Sequence, residues 1–271
     1  MRTLTVAGPD ISAAWLAACG AMRGTPPVAY HTVVRIHDPL SDDPAIRAAV
    51  DRILAAHGLQ PVVTVANTIF PTAIAQTSSD HLELSRRYAA ILLTLQRLSP
   101  NKNDRGTYFG RLVQFPGAKG PVNQLDTIIT RLRKECAKKG SGTGPMAACY
   151  EAGFTDPGAE STDGPMESCV TAAAPVRVPG RDNRFPGFPC LSHCSFQLDR
   201  DGTLHAMAHY RSQLMVERGY GNYVGLGRLL GYVAGQAGLR CGELTVTAGY
   251  ARLDYRRDVY PLLGQVSAAV A

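Results

Sequence analysis

The feature that most constrains the fold is a stretch of strict alternation, Thr203 to Arg211, entered through Asp199-Arg200-Asp201-Gly202. Leu204, Ala206 and Ala208 fall on one face; His205, Met207, His209 and Arg211 fall on the other. Only an extended strand, whose side chains alternate, separates residues in that way. The Asp-Gly pair ahead of it is a hairpin turn, which pairs this strand with one around Phe196 and Gln197. Elsewhere the period is helical. Ile46, Ala49, Val50, Ile53 and Leu54 repeat at helix spacing over Pro44 to His57, and Leu125, Ile128, Ile129 and Leu132 do so within 122–139. A chain that mixes both periods is α/β.

The remaining elements follow the same rules. Residues 11–22 read as a helix stopped near Gly20, and Leu82 to Leu98 and Tyr223 to Ala237 read as helices. His31 to Ile36, Val62 to Ile69, Val170 to Ala174 and Leu244 to Ala248 read as strands, being short and rich in β-branched residues. Residues 101–106 read as a loop. Residues 140–168 are rich in Gly, Pro, Ser, Thr and Asp without a period, which predicts an insertion or flexible loop in an otherwise single domain.

With 45% hydrophobic and 18% charged residues in 271, the chain can fill a core and is not disordered. No run reaches the about 18 apolar residues of a membrane helix, so no membrane partner is expected. The formal charge of +6 suits an anionic small substrate. Its densest basic patch, Arg131, Arg133, Lys134, Lys138 and Lys139, lacks interleaved aromatics and reads as a solvated helix end, so no nucleic acid is expected. The seven cysteines are expected to be reduced, in a cytoplasmic setting. Cys190, Cys194, His205 and His209 outline C-x3-C and H-x3-H pairs. The gap between the pairs is short for a zinc finger, and the histidines sit on a strand, so no metal site is expected.

From Phe188 to Leu253 the chain resembles thymidylate synthase. Phe188-Pro189-Cys190 is similar to the family's nucleophile segment, and Phe196 and Asp201-Gly202 follow in order. Tyr210-Arg211-Ser212 is similar to its Q-R-S. The pattern continues without a gap from Arg211 to Leu239, which places Asn222 on the asparagine that reads the pyrimidine edge. Gly242 and Thr247 to Gly249 continue it. Phe109-Gly110 and Val122-Asn123-Gln124-Leu125 make a weaker match upstream.

The resemblance implies a mixed sheet covered by helices, a homodimer, and a one-carbon transferase acting at C5 of a pyrimidine nucleotide with 5,10-methylenetetrahydrofolate as donor. It makes Cys190 the nucleophile, Arg211 and Ser212 the phosphate ligands, and Asn222 the ring reader. Thiol chemistry fits that role: a thiolate added to C6 makes C5 nucleophilic, and a nearby guanidinium favours the thiolate. An asparagine amide offers a donor and an acceptor to uracil. The other readings of these residues are a buried structural thiol for Cys190, a salt bridge for Arg211 and a helix N-cap for Asn222.

The departures from the family are specific. Its catalytic glutamate falls near Asn67, and the histidine after the nucleophile is Leu191, with His193 two residues on. The folate-contacting aspartate is Leu214, and the only tryptophan is Trp15. The H-x-Y that holds the sugar becomes Arg252-Leu253-Asp254, and Arg177, Arg181 and Arg184 stand in for the phosphate arginines of the partner subunit. His209 and Arg252 join the candidate substrate contacts. These losses predict a specialised pathway, such as pyrimidine nucleotide hydroxymethylation, in place of ordinary thymidylate synthesis. The alternatives are an enzyme of the same fold that uses the cysteine on another substrate without folate, and a non-catalytic nucleotide-binding protein.

Overall fold

A computed structural model describes residues 2–98, 106–117, 120–137, 173–175 and 189–269. The predicted insertion at 140–168, the loop at 101–105 and Arg177, Arg181 and Arg184 lie outside the described residues. The chain is mixed α/β, as its two periods predict. It forms two compact units, one of Met1–Phe70, Met207–Leu229 and Gly242–Ala271, the other of Pro71–Ala206 and Leu230–Cys241. A composition shift does not mark their boundary, because strand β7 (Thr203–Leu214) and helix α8 (Tyr220–Ala237) each pass from one unit into the other.

In the first unit the strands lie in the order β1 (Thr3–Asp10), β2 (Val28–Asp38), β8 (Arg240–Arg252), β7. β1 runs parallel to β2, and β2 antiparallel to β8, from Val28 opposite Arg252 to Ile36 opposite Leu244. The sheet is therefore mixed. Helices α1 (Ile11–Ala21) and α2 (Pro44–Ala56) start at side-chain caps, Asp10 accepting from Ala13 N and Asp43 from Ala45 N. Trp15 is wholly buried; its Nε1 donates to the Met215 carbonyl at 2.7 Å, and its ring meets Tyr220 edge-on.

An irregularity crosses this sheet at one level. Burial in β2 falls on Ala29 and then on Thr32, Val34 and Ile36. In β8 it falls on Leu244, Val246 and Ala248 and then on Ala251; in β7, on Ala208 and Tyr210 and then on Gln213. Each strand thus changes which parity of residue points inward. His31 takes φ +48°, uncommon for a side chain with a Cβ, and is an extra residue against β1, where Thr3 pairs with Tyr30 and Leu4 with Thr32. Tyr30 and Thr32 pair with Tyr250 and Ala248, which sets His31 beside Gly249. A Cβ on Gly249 would lie 3.3 Å from the Arg211 carbonyl, so the same level continues into β7.

The expected strand over Val62 to Ile69 is instead helix α3 (Val62–Ile69). Its β-branched content favours a strand, but its buried residues, Val62, Val65, Ala66 and Ile69, follow the helical period. Backbone contact with α8 secures it. A Cβ on Gly221 would sit 2.6 Å from Val65 Cβ, and one on Gly225 2.8 Å from the Ala66 carbonyl. Only glycine admits so close an approach. Helix α9 (Arg256–Ala269) closes this unit's sequence.

The second unit contains helices α4 (Thr72–Gln76), α5 (His81–Leu98), α6 (Tyr108–Val113) and α7 (Gln124–Ala137). It also has the short pair β3 (Phe115–Gly117) and β4 (Gly120–Val122). Strand β5 (Ala173–Pro175) pairs antiparallel with β6 (Leu191–Leu198), which overlaps the expected strands at 170–174 and 196–197. Leu84, Phe109, Leu125 and Ile128 form its core, with Tyr88 edge-on to Phe109. His81 is buried and satisfied, its Nε2 2.9 Å from Asp126 Oδ1. The predicted turn at 199–202 forms, with Asp199 N donating to the Thr203 carbonyl at 3.0 Å. Among the described residues no helix is long and apolar enough to cross a membrane.

Candidate functional site

Helix α8 holds the first candidate group. It begins at Tyr220, directly after a π-helical turn, Met215–Gly219. Asn222 is therefore inside helical structure and does not serve as an N-cap before Tyr223. It is only 5% exposed, and its side chain makes no hydrogen bond among the described residues. Next to Ala66, which packs against Gly225, Asn67 has a buried Oδ1 without a partner among the described residues. Gln213 on β7 is also buried. Its Oε1 accepts from the Tyr223 hydroxyl at 3.4 Å, and its Nε2 has no partner. Three carboxamides in this unit thus carry unused hydrogen-bonding capacity, which buried polar groups rarely do.

Arg211 and Ser212 are half-buried on β7, at the level where the sheet changes parity. That change lets consecutive residues sit where a regular strand would send one inward. His209 lies two residues earlier, its Nδ1 2.8 Å from Thr247 Oγ1 on β8. Burial, with the charge of His31, holds its pKa below the usual histidine value. Its neighbour on the same face, His205, faces Asp199 Oδ2 at 3.4 Å. Arg252 is exposed at the end of β8.

Asp254, which the resemblance set where a sugar contact was expected, does something else. Its carboxylate accepts from Val216 N at 2.8 Å and Glu217 N at 2.9 Å, which caps the helical run leading into α8. Burial raises its pKa, and those two bonds oppose the rise.

The second unit carries Cys190 and His193. Cys190 is half-buried just ahead of β6, and its backbone N–H donates to the Tyr108 hydroxyl at 3.3 Å. Leu191 N donates to the same oxygen at 3.5 Å, so Tyr108, at the start of α6, fixes the backbone around the thiol. His193 is half-buried on β6 opposite Pro175. Cys194 is a core thiol, its pKa pushed up to about 12 by burial, and is unsuited to act as a nucleophile.

One cluster was not legible in the sequence. Asp42 is gripped by two guanidinium nitrogens of Arg47 and accepts from the Tyr220 hydroxyl at 3.2 Å. Ser12 Oγ accepts from Asp43 N at 2.8 Å and lies 2.7 Å from that same hydroxyl. The order is then Asp43 N–H to Ser12, Ser12 to Tyr220, Tyr220 to Asp42. Half-buried Arg228, two turns along α8 from Tyr220, feels both Arg47 and Asp42. The available signal was the Ser41-Asp42-Asp43-Pro44 run ahead of α2, of which sequence reasoning used only the proline.

Among the described residues no group of three or more His, Cys, Asp or Glu side chains is placed to hold a metal ion. No family model matches the chain, and no curated protein matches it.

Proposed function

We propose that this protein transfers a one-carbon unit, methyl or hydroxymethyl, to C5 of a pyrimidine nucleotide, on a thymidylate synthase-like fold. Asn222 carries the reading: a carboxamide 5% exposed, set inside α8, whose donor and acceptor have no partner among the described residues. A uracil edge supplies both complements, O4 to accept and N3–H to donate. The unpartnered Asn67 Oδ1 adds a second buried acceptor in the same unit.

The chemistry assigned to the chain is short. The Cys190 thiolate adds to C6, and the ring electrons move to C5, which attacks the electrophilic carbon of the donor. Loss of the C5 proton with departure of the donor's carrier leaves an exocyclic methylene on C5; water adding to that methylene as the thiolate departs gives hydroxymethyl, and a hydride from a reduced carrier adding in its place gives methyl. Arg211 and Ser212 hold the phosphate. Asn67 does not shuttle protons, since an amide does not titrate; its oxygen orders a water or a ring N–H.

The fit to methylenetetrahydrofolate is poor. Leu214 cannot make the carboxylate contact, and Trp15 is wholly buried with its N–H spent on Met215. No step is assigned to folate residues here. The same observation favours a second reading, in which Cys190 remains the nucleophile and the donor is not a folate.

The test is intact-mass analysis of the protein with 5-fluoro-dUMP and 5-fluoro-UMP, with and without methylenetetrahydrofolate. A nucleotide adduct is expected on the wild type and absent from Cys190→Ser, and Asn222→Leu should weaken it at least tenfold. An adduct that forms without folate supports the second reading. No adduct under any condition, with the variants folded, overturns both. Light scattering checks the homodimer that the resemblance adds.

A further inference from the structure

An open groove in the first unit, between residues 25–27 and the start of α9, has a volume of about 590 Å³, within the size range of small-molecule sites. Three arginines line it: Arg252 at the end of β8, and Arg256 and Arg257 in the first turn of α9. Its two carboxylates are already committed. Asp254 accepts from Val216 N and Glu217 N, and Asp258 faces His57 Nε2 at 3.0 Å. Arg256 reaches the Gly24 carbonyl at 3.5 Å, whereas Arg252 and Arg257 have no hydrogen-bond or ion-pair partner among the described residues.

This arrangement works against the local structure. Cations in a first helical turn oppose the helix dipole, which favours anions there. Tyr255, between the arginines, takes φ +47°, a strained conformation for an aromatic residue, and is held by its ring against His57 at 4.2 Å. Like charges gathered in a concave wall focus their field on the space they enclose. An anion in the groove would relieve both the crowding and the dipole conflict.

We propose that this groove binds the phosphate of a phosphorylated small molecule, taken by the planar forks of Arg252 and Arg257, whose geometry matches phosphate oxygens. The inference goes beyond the one-carbon reading and does not depend on Cys190. The phosphate has two possible sources: the substrate nucleotide itself, which would then be held here in place of Arg211 and Ser212, or a separate phosphorylated ligand, which leaves that assignment intact.

Calorimetric titration of the full chain with inorganic pyrophosphate tests the site. Saturable one-to-one binding is expected, weakened tenfold or more in Arg252→Gln and in Arg257→Gln and unchanged in Arg97→Gln, an exposed arginine on α5. UMP added at saturation separates the sources. Displacement of pyrophosphate assigns the groove to the nucleotide, and simultaneous binding assigns it to a second ligand. Arg252→Lys and Arg257→Lys, which keep the charge and lose the fork, should bind between wild type and Gln. They also serve if a Gln variant does not fold. No saturable binding by the wild type, no loss in the groove variants, or an equal loss in Arg97→Gln overturns the proposal.

Discussion

Two polar clusters in the same unit are built in opposite ways. Around Asp42, each donor meets an acceptor: Arg47, Tyr220, Ser12 and Asp43 N close a chain of bonds that ties α1, α2 and α8 together. Around α3 and β7, among the described residues, Asn67 Oδ1 and Gln213 Nε2 meet no partner, and the Asn222 side chain makes no hydrogen bond. The first cluster contributes to folding. The second costs stability, because an unsatisfied buried polar atom forfeits about 1–3 kcal/mol of hydration. A bound ligand that completed those bonds would recover the cost.

The largest test of this contrast is geometric. A Cβ on Gly227 would lie 1.9 Å from the Pro39 carbonyl, in the segment that leads to Asp42. Gly227→Ala should push that segment off α8, break the Tyr220–Asp42 bond and cost about 3 kcal/mol or more in urea unfolding. Gly235→Ala on the same helix meets nothing within 4 Å and should gain up to about 1 kcal/mol. Next in size is Asp42→Ala, which leaves Arg47 without its carboxylate and Tyr220 without its acceptor; about 2 kcal/mol of stability should be lost, less than for a fully buried pair because Arg47 is partly exposed. Asn67→Leu should fall within about 1 kcal/mol of wild type, on either side, while abolishing nucleotide binding. A loss as large as that of Asp42→Ala would erase the contrast between the clusters.

The smallest expected effect is a pH slope. Burial and His31 depress the His209 pKa in the folded protein, so the unfolded chain binds the proton more readily. Its share of stability is fully present above the ordinary histidine value, about 6.5, and falls as pH drops from there toward the depressed value. Thermal unfolding from pH 8 to 5 should show this slope, and His209→Asn should flatten it. A slope that His209→Asn leaves unchanged would assign the titration to other groups.

Much of the secondary structure could be read from periodicity, because amphipathic helices and an alternating strand state their burial directly. α2, α5 and β7 lie where their apolar spacing puts them. α3 does not, since its helical state depends on two glycines more than 150 positions later that admit it to α8. The sheet irregularity was equally hidden, for no local signal marks His31 as an extra residue. Asn222 and Asn67 were found through a family resemblance and not by physics. Gln213 was missed although it lies between two residues that the resemblance had examined, Ser212 and Leu214. Its importance lies in a missing partner, and a sequence does not display missing partners.

The parity change shared by β2, β8 and β7 also limits how such a chain can vary. Deleting one residue near His31 alone would turn the rest of β2 over, exposing Val34 and Ile36 and burying Arg35 opposite Val246. The three strands are therefore coupled like teeth on one gear train: a length change in any of them is tolerated only with matching changes in its neighbours. Arg211 and Ser212 owe their adjacent placement to that shared defect, so the spot least free to drift in length is the one that carries this pair.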